Sequence, residues 1–244
     1  MKKLENTPSK DLDSRFKKYC ESYSSNINTV SVQGIDFLVY PNVYRAESAS
    51  TTSTILRTMD DFEGLRVLDM GCGTGILGII AALKGASYVM MADINDAAIE
   101  NTKANIEKHQ LSHRTKAVTS DLFSNITEKS FDIILFNMPF LYAKENPSEA
   151  SLTPPEHKAK VMPPPESFVD VGYKTIRRFM TEAQQHLNEN GTIRCTFANF
   201  GNLNALDKIL SDNHLNRKTI SSRIEEEFGL EYLAFEITPI LETA

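Results

Sequence analysis

Residues 67–76 read VLDMGCGTGI, an apolar segment that runs directly into three glycines spaced two residues apart. The pattern is typical of a buried strand followed by a helix, because glycines let the backbone turn sharply between the two elements. In an open α/β sheet such a turn lies at the carboxyl edge, where a ligand can approach the backbone without an intervening side chain. The segment therefore predicts a small-ligand site, with a tight turn that holds no ligand as the alternative.

Strand-like and helix-like segments alternate from this turn onward. Between residues 66 and 136 they read RVLDM, GILGIIAALKGA, YVMMAD, NDAAIENTKANIEKHQL, KAVTSD and FDIILF. The apolar strands lack a polar alternate face, as expected of parallel strands that helices cover on both sides. The pattern predicts a doubly wound α/β domain.

The C-terminal third continues the pattern with one change. Residues 175–191 predict a helix that ends at an Asn190-Gly191 cap, and residues 192–200 predict the next strand. A helix over 204–213 follows. The segments RKTISSRI and EYLAFEITP, residues 217–224 and 231–239, predict a terminal antiparallel pair.

Two further regions surround this core. Residues 8–24 have helical spacing of apolar side chains, and VSVQGIDFLVY, residues 30–40, predicts a hairpin around Gly34. We therefore expect an N-terminal extension over residues 1–45 and the main domain over 46–244. The long proline-rich stretch between Asn137 and Asp170 is typical of either a functional loop, such as a lid, or a disordered segment, and its position directly after a strand end favours the first.

Composition disfavours several classes of protein. The net charge of -6 disfavours a broad nucleic-acid surface. The three cysteines are far apart and the histidines have no ligand spacing, so we expect reduced thiols and no metal. No apolar run is long enough to cross a bilayer and the first residues are charged, which together predict a cytoplasmic protein without a membrane partner.

An acidic residue ends the second predicted strand. Asp93 follows the glycine turn by about 20 residues, the separation at which a carboxylate accepts both hydroxyls of a ribose. A dinucleotide would require a small residue at Ile76, where the helix start packs on the strand, and Asp69 would place an anion near its phosphates. A cationic nucleoside without phosphates fits better.

These residues resemble the class I S-adenosylmethionine-dependent methyltransferases. Asp69 to Gly75 is similar to their first motif, Asp93 to their ribose-binding acid, and Ser120-Asp121-Leu122-Phe123 to the strand-end segment that binds adenine. Without that context, Asp121 would also fit a helix N-cap. The resemblance implies a Rossmann-like, mostly parallel sheet of seven strands with an antiparallel C-terminal strand. It also implies S-adenosylmethionine as cofactor, held by Asp69, Gly71, Cys72, Gly73, Gly75, Asp93, Ile94, Asp121, Leu122 and Asn137.

The fourth strand of the pattern ends at Asn137-Met138-Pro139-Phe140. This run resembles the Asn-Pro-Pro-Tyr/Phe signature of methyltransferases that modify planar nitrogens, with Met138 in place of the first proline. The Asn137 oxygen and the Met138 carbonyl can accept the two hydrogens of an amide or amino nitrogen, which is a poor nucleophile. Pro139 would fix the loop, and Phe140 would stack on a planar acceptor. The alternative is that Asn137 caps a turn and Phe140 packs in the core.

The segment before the main domain also resembles a known family. FLVYPNVYRAESASTTSTIL, residues 37–56, is similar to the pre-domain stretch of the small-domain methyltransferases. The resemblance implies that Arg45 and Glu47 pack over the cofactor, whereas a plain helix start within residues 48–54 explains the pattern equally well.

Three hypotheses follow from the sequence. The leading one is an enzyme that methylates a planar nitrogen on a small molecule or a protein, with an rRNA or tRNA base as the alternative acceptor. The second is an NAD-dependent oxidoreductase, which Ile76 and Asp69 disfavour. The third is a scaffold that binds the cofactor without catalysis.

Overall fold

The computed structural model describes residues 26–44, 50–144, 169–226 and 230–240. The predicted helix over 8–24 lies outside the described residues, as do Arg45 and Glu47. The predicted hairpin consists of β1 (Asn28–Val32) and β2 (Ile35–Val39), which pair antiparallel around Gly34.

After the hairpin comes α1 (Ser50–Leu56), and strands then alternate with helices. These elements are β3 (Arg66–Met70), α2 (Ile76–Leu83), β4 (Tyr88–Asp93), α3 (Asp96–Lys108), β5 (Thr115–Thr119) and β6 (Phe131–Phe136). The second half comprises β7 (Leu141–Ala143), β8 (Val169–Val171), α4 (Lys174–Ala183), a 3₁₀ turn (Gln184–His186), β9 (Leu187–Ala198), α5 (Leu203–Asp212), β10 (Leu215–Glu225) and β11 (Leu230–Pro239).

Seven strands form one sheet in the order β10-β11-β9-β6-β3-β4-β5. The five strands β9, β6, β3, β4 and β5 are parallel, whereas β11 runs antiparallel to both of its neighbours. This arrangement confirms the predicted doubly wound, mostly parallel sheet with an antiparallel C-terminal pair. The short strands β7 and β8 form a separate parallel pair.

The two faces of the sheet bury separate hydrophobic clusters. Val67 packs with α1, α2, α3 and the hairpin on one face, and the next residue, Leu68, packs with α4 and α5 on the other. Alternation of this kind needs apolar residues at every strand position, since both faces are covered. It accounts for the continuous apolar runs in the sequence.

The predicted helix end at Asn190-Gly191 is wrong. Helix α4 ends at Ala183, and Gly191 lies inside β9, where the β6–β9 register shifts between Phe131 and Ile133. A Cβ on Gly191 would lie 2.7 Å from the carbonyl oxygen of Phe131. The glycine therefore permits close approach of two strands, a tertiary requirement that resembles a helix cap in the sequence.

Candidate active site

A cleft of about 310 Å³ opens at the carboxyl edge of the sheet, where β3, β4, β5 and β6 end. Parallel strands bring their carboxyl ends to one edge, so the residues after each strand meet there. The lining residues are Met70, Gly71, Gly73, Asp93, Ile94, Ser120, Asp121, Leu122 and 136–140, together with Tyr44, Thr51, Val169 and Thr175.

The glycine-rich turn has the backbone conformation that the sequence predicts. Gly71, Gly73 and Gly75 all adopt positive φ, at 63°, 55° and 79°. A Cβ on Gly71 would lie 3.2 Å from the ring of Phe136, in the floor of the cleft. A side chain there would be strained and would crowd the cleft, so the turn leaves room for a ligand beside its backbone.

Asp93 lies in the cleft with both oxygens oriented by backbone amides. Its Oδ2 accepts from the Gly73 amide at 2.9 Å, and its Oδ1 accepts from the Asn95 amide at 2.9 Å. Burial raises the pKa of the carboxyl, and the backbone donors oppose that rise. Each oxygen keeps a further lone pair, so the carboxylate can also accept a pair of ligand hydroxyls.

Asp69 lies beneath the glycine turn rather than on the cleft surface. Its side chain is 1% exposed, and Oδ2 accepts from the Gly78 amide of α2 at 2.8 Å. Burial raises the pKa of this carboxyl from 3.8 to about 7, and the nearby Asp93 adds to the rise. Asp69 therefore joins the turn to α2.

Two other residues of the predicted cofactor set also lie behind the surface. Cys72 is 8% exposed, and its thiol is 3.4 Å from the Thr102 hydroxyl. Gly75 begins α2 against the same Thr102. Burial raises the pKa of Cys72 well above its ordinary value, so the thiol stays protonated.

The turn after β5 presents Asp121 to the cleft. Ser120 holds the turn by donating to the Leu122 carbonyl at 2.6 Å and accepting from the Asn125 amide at 3.0 Å. Leu122 adopts φ 50°. Arg178 of α4 donates to both oxygens of Asp121, at 3.1 and 3.0 Å. A ligand amino group at Asp121 would therefore share the carboxylate with a guanidinium.

Asn137 follows β6 at the centre of the cleft edge. Its Oδ1 accepts from the Thr196 hydroxyl of β9 at 2.6 Å, and its Nδ2 donates to the Thr52 hydroxyl of α1 at 3.4 Å. The amide is thus fixed by two hydroxyls from distant parts of the chain. Among the described residues, no donor reaches the neighbouring carbonyl of Met138.

Phe140 is largely a core residue. It is 4% exposed, and its ring packs edge-on against Phe200 with the centroids 5.4 Å apart. The Tyr173 hydroxyl donates to the Phe140 carbonyl at 2.6 Å and accepts from the Asn202 amide at 2.9 Å. Packing in the core was the alternative expectation for Phe140, and the small exposed fraction leaves little ring surface for stacking.

Sequence reasoning did not find several residues of the site. Tyr44, Thr51, Val169 and Thr175 line the cleft, and Thr52, Thr196, Tyr173 and Arg178 hold its lining residues. The sequence of residues 48–54 indicates only a helix start, and nothing in it places Thr51 or Thr52 at the cleft. The others depend on which strands and helices are neighbours.

The described parts of the chain contain no group of three His, Cys, Asp or Glu side chains that could hold a metal ion. Within those same parts, no helix is both long and apolar enough to cross a membrane.

Comparison with known proteins identifies the class. Residues 34–153 match the family described as methyltransferase small domain. The chain is 28% identical over 192 residues to the ribosomal RNA small subunit methyltransferase C of Haemophilus influenzae strain PittGG, covering 78% of this chain and 48% of the relative. It is 32% identical over 128 residues to the ribosomal protein uL3 glutamine methyltransferase of Francisella tularensis, covering 52% and 39%. The chain thus spans about half the length, or less, of these curated relatives.

A solved structure supports the fold. The T. thermophilus 16S rRNA N2 G1207 methyltransferase, in complex with AdoMet and guanosine, aligns with a TM-score of 0.58 at 18% identity. The alignment covers 88% of this chain and 50% of that chain. Residues 34–153 of the chain belong to the methyltransferase small-domain family. This match confirms the predicted family resemblance.

Proposed function

We propose that the protein transfers a methyl group from S-adenosylmethionine to a planar nitrogen, either an amide or a base amino group. The observation that carries the proposal is Asn137 at the end of β6, with its amide oxygen oriented by Thr196 and the Met138 carbonyl beside it. Two neighbouring oxygen acceptors suit a nitrogen that bears two hydrogens.

The residues of the cleft fit the cofactor. Gly71 leaves space that a Cβ would fill, and Asp93 keeps lone pairs for ribose hydroxyls. Ile94 is 69% exposed and lines the cleft, which gives a flat base an apolar surface. Asp121 would accept from an adenine amino group. Asp69, Cys72 and Gly75 lie on the buried side of the glycine-rich turn and would contribute by fixing its shape.

When bound, S-adenosylmethionine supplies an electrophilic methyl group. The chain's own part is to hold the acceptor nitrogen in line with that group: the second lone pair of Asn137 Oδ1 and the Met138 carbonyl would each accept one N–H. Pro139 fixes its own φ and so limits movement of the Met138 carbonyl. Residues 137–140 carry no acid or base, so the proton leaves to solvent after transfer, and alignment supplies most of the rate.

Three sources can supply such an acceptor: a small molecule, a protein and RNA. The sequence favoured a small molecule or a protein, because the chain is acidic and lacks a basic module. Relatives named for ribosomal RNA and for a ribosomal protein give added support to the base and to the glutamine amide. The same relatives support a cytoplasmic location, which is part of this proposal.

The test is transfer of tritiated methyl groups by the full chain. Total RNA, total protein and the small-molecule filtrate of cells that lack the gene are the three acceptor pools. We expect label in one pool with wild type and with Asn204→Ala, an exposed residue of α5, and none with Asn137→Ala. Label in no pool, or equal label with Asn137→Ala, would overturn the proposal.

A binding experiment separates the remaining hypotheses. Calorimetric titration with S-adenosylhomocysteine should show binding, and titration with NAD should show none. Binding of NAD alone would support an oxidoreductase. Binding of S-adenosylhomocysteine without any transfer would support a scaffold.

A further inference from the structure

We propose that the hydroxyls of Thr196 and Thr52 are positioning groups that fix the direction of the Asn137 amide. The inference rests on the proposed function, in which the Asn137 oxygen accepts a hydrogen bond from the acceptor nitrogen. Neither threonine contacts the reacting nitrogen itself in this scheme.

Thr196 reaches Asn137 because β9 lies beside β6 in the sheet. Phe136, the last residue of β6, pairs with Cys195 of β9. The residues that follow these two, Asn137 and Thr196, therefore lie side by side. Thr196 is fully buried and pairs with Ala234 of β11, while the preceding Cys195 pairs with β6, so the sheet fixes the backbone at this point. A branched side chain on such a strand has few rotamers, and its hydroxyl is held in place.

The two distances determine which way the amide points. The 2.6 Å separation between Thr196 Oγ1 and the nearer amide atom is typical of an O–H···O bond and too short for N–H···O. The atom that faces Thr196 is therefore the oxygen. The 3.4 Å separation on the other side, to Thr52 Oγ1, is that of a long N–H···O bond. Thr52 is 2% exposed, so water does not readily replace it.

This arrangement has a consequence for the acceptor. The terminal torsion of an asparagine is broad and roughly two-fold, so an unrestrained amide can present either its oxygen or its nitrogen. If the amide nitrogen faced the substrate, its own N–H groups would lie against the N–H groups of the methyl acceptor, and two donors cannot form a hydrogen bond. The Thr196 hydroxyl uses one lone pair of the oxygen and leaves the other. A reversed amide could still donate to this hydroxyl, but the buried hydroxyl hydrogen would then lose the oxygen to which it donates, and this loss disfavours the reversed orientation.

The decisive variants change one hydroxyl at a time. Thr196→Val keeps the shape of the side chain and removes the donor, whereas Thr196→Ser keeps the donor. Thr192→Val is the matched control, because it makes the same change in the middle of β9, four residues before Thr196. We expect Thr196→Val to slow methyl transfer about tenfold, the value of one hydrogen bond. Thr196→Ser and Thr192→Val should stay within about twofold of wild type.

A readout independent of activity is the pair of side-chain amide NMR signals of Asn137, assigned by their loss in Asn137→Asp. These signals should shift or broaden in Thr196→Val and return in Thr196→Ser, while calorimetric affinity for S-adenosylhomocysteine changes less than about twofold. Unchanged signals and an unchanged rate in Thr196→Val would overturn the inference.

Thr52→Val provides a second route if Thr196→Val does not fold. It should shift the same signals and slow transfer about threefold, since its bond is longer. Signals that do not move in Thr52→Val would overturn the role of α1.

If wild type labels no acceptor pool, the proposed function fails, whereas the NMR signals still test the two hydroxyls. If Asn137→Ala alone abolishes transfer, only this inference fails.

Discussion

The cleft has two halves that are held in different ways. The cofactor half comprises Gly71, Gly73, Asp93, Ile94 and residues 120–122. Backbone amides hold two carboxylates, Asp93 and, below it, Asp69, whereas Asp121 is bound by the Arg178 side chain. The acceptor half comprises residues 137–140, and side-chain hydroxyls of Thr52, Thr196 and Tyr173 hold it.

This difference separates what the fold fixes from what single residues fix. Backbone amides remain when side chains change, so the part of the cofactor half between Gly71 and Asp93 is a property of consecutive strand-to-helix turns. A hydroxyl is lost with one substitution, so the acceptor half can change while the fold stays. One sheet can therefore carry different acceptors on a constant cofactor half.

The largest expected effect concerns Asp69, the buried carboxyl below the cofactor half, and the pH dependence of protein stability. The pKa of Asp69 is about 7 in the folded state against 3.8 unfolded, so the folded state binds the extra proton between these values. Stability contributed by this group is then fully present below pH 4 and falls as pH rises to 7, by up to about 4 kcal/mol.

Asp69→Asn should remove that part of the pH dependence and be more stable than wild type at pH 8. Urea unfolding between pH 4 and pH 8 measures it. Thr196→Val, in the acceptor half, should keep the wild-type slope. Parallel curves for wild type and Asp69→Asn would contradict the assignment.

The second effect concerns Asn137. Asn137→Ala removes the oriented acceptor, and we expect the rate of methyl transfer to fall at least about 100-fold. Affinity for S-adenosylhomocysteine should stay within about threefold, because the cofactor half does not depend on this side chain. A parallel loss of rate and affinity would mean that the two halves are not separable.

The third effect concerns Asp93, where a change in the cofactor half should lower affinity for the cofactor product. Asp93→Asn removes a charged acceptor and places an NH₂ against the Gly73 or Asn95 amide, so calorimetric affinity for S-adenosylhomocysteine should fall about 10- to 100-fold. Asp96→Asn, at the start of α3 and outside the cleft, is the control. Unchanged affinity would remove the ribose role of Asp93.

The smallest effect concerns Arg178. Arg178→Met frees Asp121 from an ion pair in which both side chains are about half exposed, 49% and 50%. Such pairs contribute little, and we expect affinity for S-adenosylhomocysteine to rise about two- to fivefold at low salt. The rise should vanish in Asp121→Asn/Arg178→Met. A fall in affinity would instead assign Arg178 to holding Asp121 in place.

Sequence reasoning found the residues whose positions follow from local rules. Gly71 and Asp93 come from one strand-to-helix turn and the end of the next strand, and Asn137 comes from an abrupt strand end. Thr196 and Thr52 are 59 and 85 residues from Asn137 in the sequence. They come close only because the fold places β9 and α1 beside the end of β6. Gly191 was misassigned for the same reason, since its requirement is a contact with Phe131.

Hydrogen bonds through α3 link the hairpin to the cofactor half. Asn105 of α3 accepts from the Leu38 amide at 2.7 Å and donates to the carbonyls of Leu38 and Thr74, at 2.8 and 2.9 Å. Asn101 similarly bonds the Tyr40 amide and the Leu38 carbonyl. Both amides are fully buried. A shortened chain starting at residue 46 would leave them without β2, so trimming at that point should lower the expression yield and loosen the Gly73-Thr74-Gly75 backbone.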